Sequence, residues 1–93
     1  MARLLKIVGQ EEIAGKIYIK NKQFDLAFKS FNMAFVRLIA SSDDKAEKLI
    51  AWANIFKENF EFSIALDYCR KAYSCARTNI VRQKAVKLKY DIL

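Results

Sequence analysis

The sequence contains no histidine, no proline and only two glycines among its 93 residues. Histidine is the commonest general base, so its absence removes every serine–histidine and cysteine–histidine nucleophile arrangement. Gly9 and Gly15 stand singly in helical sequence, which leaves no glycine-rich loop to hold a phosphate. Sheet proteins usually need more turn-forming residues than this. The absences favour an all-α protein and argue against an enzyme.

The chain has only two cysteines, Cys69 and Cys75, six residues apart on one predicted helix. Their separation along the helix axis is roughly 9 Å, which is beyond the reach of a disulfide bond. Without histidine they are also too few for a structural zinc site. We therefore expect two free thiols in a reducing compartment, with no metal and no cofactor.

Long apolar runs are also lacking. None approaches the roughly 18–20 residues of a membrane span, and Arg3 and Lys6 interrupt residues 1–8 too early for a signal peptide. We therefore expect a cytoplasmic protein without a membrane span. The net charge is +7, and the excess is concentrated between Arg70 and Lys89. Such a stretch can meet nucleic acid, anionic lipid or an acidic protein, or can simply form a solvated helix face.

Apolar residues recur at steps of three and four, which predicts five helices in a single domain, 1–93. The first hairpin covers about 10–40 with a turn at 21–23, and the second covers about 43–77 with a turn at 59–61. A closing helix follows at about 80–93. The predicted buried stripe of the second helix consists of Phe24, Ala27, Phe28, Phe31, Phe35 and Leu38.

The polar linker Ser41–Asp44 separates the hairpins, and Ser41 or Ser42 suits the N-cap of the next helix. The hairpins themselves repeat with a fixed shift. Phe24–Ala27 aligns with Phe62–Ala65, and the offset is 65 − 27 = 38. From Phe56 to Tyr90 the step is 34, so the closing helix has the position of the first half of a third unit. Self-similarity at this spacing is typical of stacked helical hairpins.

This pattern resembles the tetratricopeptide repeat over about residues 11–90. The family asks for Gly, Tyr, Ala, Phe and Ala at set intervals, and Gly15, Tyr18, Ala27, Phe31 and Ala34 occupy those places in the first hairpin. The second hairpin has Ala53, Phe56, Ala65, Cys69 and Ala72 there. The resemblance implies two antiparallel hairpins stacked together plus a capping helix, with small residues allowing close helix approach. Glu11 departs from the pattern, because the family favours Trp at that position.

Residues 46–93 are also similar to the microtubule-interacting and transport domain, a three-helix bundle that binds helical tails. The stretch Asn59–Tyr68 carries this likeness, at the central turn and second helix. It leaves the first hairpin unexplained, so it is the second interpretation.

The tetratricopeptide resemblance implies a concave groove formed by the first helix of each pair. Its candidate ligand-binding residues are Lys16, Lys20, Ile50, Asn54, Lys57, Lys84 and Leu88. The lysines make this face basic, which suits an acidic or C-terminal peptide. The carboxylate clamp of chaperone-binding members is not reproduced, because Glu12 occupies its first Lys place. The chain is therefore predicted to be a protein-interaction adaptor.

Two other functions stay open. Val86, Tyr90 and Leu93 form a second apolar side of the closing helix, and exposed patches of this kind mark interfaces, including those of homo-oligomers. The basic C-terminal helix could instead bind nucleic acid with steep salt dependence. No stacking platform or recognised nucleic-acid motif accompanies it, so this function ranks lower.

Overall fold

The computed structural model describes the backbone of residues 2–93 and the side chains from residue 9 onward. Over that range the chain is helical without strands, which confirms the predicted all-α class. The helices are α1 (Ala2–Lys20), α2 (Phe24–Arg37), α3 (Ser42–Glu58), α4 (Phe62–Cys75) and α5 (Asn79–Ile92). Helix α1 begins earlier than the predicted Gln10, because the chain has no proline to end a helix there and a single glycine, Gly9, is tolerated within one. Helices α2 and α4 end two to three residues before their predicted bounds.

The helices fall into two compact units, Met1–Ile39 and Ala40–Leu93. Unit 1 is the α1–α2 hairpin. Unit 2 contains α3, α4 and α5, where α3 packs along α4 and α5 contacts both. Whether the hairpins stack into one domain stays a prediction.

The turns of the two hairpins have the same backbone geometry. Lys22 and Phe60 both adopt a left-handed conformation, with φ of 58° and 63°. Matching hydrogen bonds close the turns, from Gln23 N to Tyr18 O at 2.8 Å and from Glu61 N to Phe56 O at 2.9 Å. These bonds satisfy carbonyls that a helix end would otherwise leave unpaired. Each pair of equivalent residues differs by 38, so the sequence repeat is also a repeat of backbone structure.

A close contact between Gly15 and Phe31 forms the centre of unit 1. A Cβ atom at Gly15 would lie 2.8 Å from the Phe31 ring, and Phe31 is fully buried. The predicted role of Gly15 in close helix approach is therefore confirmed. Two contacts to Glu11 also join the helices. Ser30 Oγ donates to Glu11 O at 2.7 Å, and Arg37 Nε lies 3.2 Å from Glu11 Oε1 without the geometry of a hydrogen bond.

An aromatic cluster forms the core of unit 2. The Tyr68 ring centroid lies 6.0 Å from that of Trp52 and 5.7 Å from that of Phe56, and all three side chains are buried. Burial is the main reason that the pKa of Tyr68 lies well above its ordinary value. Helix α5 adds Val81, Ala85 and Leu88 to the core.

The start of α3 holds the α4–α5 linker. Ser41 caps α3, and its Oγ accepts a hydrogen bond from Asp44 N at 3.2 Å, which confirms one of the two predicted caps. Asp43 Oδ1 accepts from Arg77 N at 2.8 Å and from Thr78 N at 3.2 Å. The Arg77 hydrogen bond is the largest influence on the Asp43 carboxyl, whose pKa lies below its ordinary value of 3.8 despite some opposing desolvation.

Candidate interaction groove on α4 and α5

The structure distributes the predicted ligand-binding residues over both units. Lys16 and Lys20 are exposed on α1, Asn54 is exposed on α3, Ile50 and Lys57 are half-buried on α3, and Lys84 is exposed on α5. Leu88 is only 5% exposed. It belongs to the core of unit 2, because its side of α5 packs on the α3–α4 pair. This corrects its placement as a groove-lining residue, and the groove shared by both hairpins stays a prediction.

Lys84 is engaged within unit 2 in a way that the sequence did not indicate. Its Nζ forms an ion pair with Glu47 Oε1, which joins α5 to α3. Both side chains are about half exposed, so the pair contributes little to stability. It does reduce the positive charge on that side of α5. Among the described residues, no carboxylate pairs with Lys87 or Lys89 on the same helix.

A surface groove lies along α5 beside Tyr73 of α4. Its volume is about 580 Å³, and its lining residues are Tyr73, Asn79, Arg82, Gln83, Val86, Lys87, Tyr90 and Asp91. A smaller pocket of about 130 Å³ adjoins it and is lined by Cys69, Arg70, Tyr73, Ala85, Val86 and Lys89. Because the two share Tyr73 and Val86, we treat them as one feature, the α4–α5 groove.

Aromatic and aliphatic side chains form the walls of the α4–α5 groove. Val86 is half-buried, Tyr73 is half exposed and Tyr90 is 71% exposed. Arg82 fixes one wall, since its Nε donates to Ala76 O at 3.1 Å. Its guanidinium carbon lies 5.9 Å from the centre of the Tyr73 ring, within the range of a cation–π contact.

The groove is strongly basic. Arg70, Arg82, Lys87 and Lys89 line it, and Asp91 is the single carboxylate among its described lining residues. Cys69 lies in the deeper pocket, where burial raises the pKa of the thiol against the opposing charge of Lys89. A thiol with a raised pKa stays protonated at neutral pH, so Cys69 is part of an apolar wall rather than a nucleophile.

The predicted interface residues Val86, Tyr90 and Leu93 lie on the outer side of α5. Val86 and Tyr90 line the α4–α5 groove, and Leu93 is exposed at the C-terminal end. Tyr73 follows the buried Cys69 by four residues on α4, yet it is half exposed, and it was not among the predicted site residues. Periodicity alone cannot separate these positions, since α4 packs on two helices and Tyr73 lies at the edge of that contact. Nothing in the sequence singled out Arg82 from its basic neighbours.

No protein-family model matches this chain, and comparisons with curated proteins and with solved structures give no match. The two family resemblances therefore stand as interpretations of the residues. Within the part of the chain that the structure describes, no group of three or more acidic or cysteine side chains is placed to hold a metal ion. None of the helices described has the length and apolar character that crossing a bilayer requires.

Proposed function

We propose that this protein is an interaction module that receives a short acidic amphipathic helix of a partner protein in the α4–α5 groove. One observation carries the proposal. Aromatic and aliphatic side chains form the walls, and four cations surround them with only Asp91 to balance the charge. Apolar anchors of a partner helix would contact Tyr73, Val86 and Tyr90, and its carboxylates would meet the basic rim.

The length of the groove suits a helix. From Asn79 to Tyr90 the lining follows α5 for eleven residue steps, or roughly 16 Å at the rise of an α-helix. That is about three turns, enough for partner side chains at i, i+4 and i+7. A compact small molecule would leave much of this length uncovered.

The internal repeat also supports a helical occupant. The 34-residue step that relates Phe56 to Tyr90 relates the buried residues of α3 to residues on α5. Ala46, Leu49, Trp52, Ala53 and Phe56 correspond to Ile80, Gln83, Val86, Lys87 and Tyr90, of which the last four line the groove. On α3, the face formed by these residues packs chiefly against α4. Among the described residues, no helix covers the equivalent face of α5 in that way. We propose that the hairpins are tetratricopeptide-like and that the partner helix takes the place of this second helix.

The departures at two of these positions indicate the chemistry of the partner. Where α3 has Leu49 and Ala53, α5 has Gln83 and Lys87. A helix that covers α5 therefore meets an amide and a cation instead of a continuous apolar stripe. An acidic residue opposite Lys87 satisfies that cation, and a basic partner would leave it opposed by like charge.

The test is fluorescence anisotropy with a labelled peptide of about 14 residues that has leucines at i, i+4 and i+7 and glutamates elsewhere. Lys87→Glu/Lys89→Glu reverses two charges of the groove, and we expect it to weaken peptide binding at least about tenfold. Lys16→Glu/Lys20→Glu makes the same change on α1 and is the matched control, expected to bind as the wild type does. Circular dichroism checks that both variants keep their helicity.

Three outcomes would contradict the proposal. Loss of binding in the α1 variant alone would instead favour the groove predicted across the first helices of each pair. Equal affinity for a peptide with lysine in place of glutamate would remove the electrostatic argument. Tighter, steeply salt-dependent binding of a single-stranded RNA oligonucleotide would identify the basic face as a nucleic-acid surface.

A further inference from the structure

Helix α2 of unit 1 exposes a second apolar surface, separate from the α4–α5 groove. Phe28, Met33 and Val36 line a depression of about 550 Å³ on this helix, together with polar neighbours. Met33 is 46% exposed and Val36 is 83% exposed. We name this surface, with Asp25, Lys29 and Asn32, the α2 face.

The internal repeat shows that the fold does not require apolar residues here. With the 38-residue shift, Met33 corresponds to Lys71 and Val36 to Ser74, and both α4 residues are exposed. At these two positions the equivalent helix of unit 2 is thus charged and hydroxylated. The repeat thus does not demand apolar side chains at 33 and 36, and exposed apolar residues in a cluster are typical of an interface.

The spacing of the α2 face is symmetric about a point between Ser30 and Phe31. Three pairs of positions are centred on that point, namely 28 and 33, 29 and 32, and 25 and 36. The two members of each pair lie equally far from it along the helix. Two copies of α2 packed antiparallel would therefore set Phe28 of one copy against Met33 of the other, twice. Self-complementarity of this kind is the requirement for a twofold interface.

The charges at the two ends of the α2 face favour the same arrangement. Asp25 lies at its start and Arg37 at its end, so an antiparallel pair brings them together at both ends. Arg37 already contacts Glu11, but a guanidinium carries five N–H donors and can serve a second carboxylate. Pairing two copies through the α4–α5 groove would instead oppose four cations to four cations.

We propose that the α2 face is a homodimer interface, in which α2 packs antiparallel against α2 of a second copy about a twofold axis that crosses the α2 face midway between Lys29 and Asn32. The occupant is a second copy of this chain because the twofold operation brings Phe28 to Met33 and Asp25 close to Arg37. The α2 face belongs to unit 1, whereas the α4–α5 groove belongs to unit 2.

Sedimentation equilibrium across roughly three decades of protein concentration tests this pairing. The wild-type mass should rise from 10.8 kDa toward twice that value. Val36→Glu places a carboxylate opposite Asp25 of the other copy, and Asp25→Lys places a cation near Arg37 of the other copy. Each should raise the dimer dissociation constant at least about tenfold.

The double variant Asp25→Lys/Val36→Glu decides the geometry. It sets a new lysine opposite a new glutamate, so dimerisation should recover, a result that general destabilisation would not give. Ile80→Glu is the matched control, because it puts a carboxylate at an exposed apolar position on α5 and should leave the dimer intact. Val36→Glu should also bind the acidic peptide as the wild type does.

Several results would overturn the inference. A wild-type chain that stays monomeric throughout the range would leave the α2 face to a different protein. A dimer that Ile80→Glu disperses and Val36→Glu does not would lie on α5. A double variant as dissociated as the single variants would rule out the antiparallel register.

Discussion

The two hairpins have the same backbone turn and the same helix lengths after it, yet their cores are filled differently. In unit 1 the closest approach pairs Gly15 with the ring of Phe31. The equivalent residues in unit 2 are Ala53 and Cys69, both buried. Compared with unit 1, unit 2 thus has the larger residue on its first helix, α3, and the smaller one on its second helix, α4. The repeated turn therefore fixes the backbone, while the division of side-chain volume between the two helices is free to change.

A second difference concerns polar and aromatic groups. Ser30 of unit 1 corresponds to Tyr68 of unit 2, and Ala14 corresponds to Trp52. Ser30 joins α1 and α2 through its hydrogen bond to Glu11 O, whereas Tyr68 and Trp52 pack edge-on in an apolar core. A single hydrogen bond contributes about 1 kcal/mol, and a buried aromatic side chain contributes several times that. Unit 2 is therefore expected to be the more stable unit.

The largest effect is expected from Tyr68→Ser, which gives unit 2 the residue that unit 1 has at the equivalent position, Ser30. Tyr68→Ser should lower the free energy of unfolding of unit 2 by about 3–5 kcal/mol, the cost of emptying a buried aromatic site. Trp52 is the only tryptophan, so its fluorescence during urea unfolding reports on unit 2. Tyr73→Ser, on the same helix but half exposed, is the control and should cost about 1 kcal/mol or less. Equal losses in the two variants would refute the role given to the aromatic cluster.

The next test gives unit 1 the alanine that unit 2 has. Gly15→Ala places a methyl group against the buried Phe31 ring, and overpacking should outweigh the gain in helix propensity to leave a net loss of about 1–2 kcal/mol. Thermal unfolding followed by circular dichroism measures it. Gly9→Ala is the control, because nothing lies within 4 Å of its added Cβ, and it should gain about 0.5–1 kcal/mol.

Adding Phe31→Leu to Gly15→Ala should recover part of the loss, because the smaller side chain makes room for the methyl group. A stabilising Gly15→Ala, comparable with Gly9→Ala, would show that the two helices separate at little cost.

The smallest effect is expected from glycine substitutions that compare the left-handed residue of each turn. Lys22 and Phe60 both have positive φ, where glycine avoids a cost of about 1 kcal/mol. Lys22→Gly should therefore stabilise unit 1 by about 0.5–1 kcal/mol. Phe60→Gly should gain almost nothing, because it also removes a ring whose centroid lies 6.1 Å from that of Phe62. A larger gain at Phe60 than at Lys22, measured by thermal unfolding, would show that this ring pair contributes nothing.

Local signals in the sequence predicted much of this fold. Turn residues at 21–23 and 59–61 and the cap at Ser41 depend on a few neighbouring residues, and the structure has them where they were expected. Gly15 was identified through the tetratricopeptide-like pattern, in which a small residue allows close helix approach, and the structure shows that approach.

Features that depend on the packing of a third helix could not be predicted from a few neighbouring residues in the sequence. Tyr68 and Tyr73 are five residues apart on α4, and only the packing of α4 within unit 2 buries the first and leaves the second at the edge. Leu88 was placed in a groove for the same reason, since the sequence does not show which side of α5 meets α3 and α4. Val86 and Tyr90 were predicted as interface residues and line the α4–α5 groove, whereas the groove itself, with Tyr73 and Arg82, was not predicted.

The hydrogen bonds to Asp43 make the attachment of the α4–α5 linker sensitive to protons. The folded carboxyl has a pKa below 3.8, so unfolding takes up a proton wherever the pH lies between the folded and unfolded values. The stability that Asp43 contributes is complete above the unfolded pKa and disappears as the pH falls through the folded one.

Asp43→Ala should consequently be less stable than the wild type at neutral pH and converge with it in strong acid. Asp44→Ala, one residue along, should lack this convergence, because Asp44 makes no hydrogen bond to the linker through its side chain among the described contacts. Unfolding midpoints measured from neutral to acidic pH distinguish the two variants. Acid therefore acts on unit 2 by competing with two backbone N–H groups for one carboxylate, at the point where α5 joins the rest of its unit.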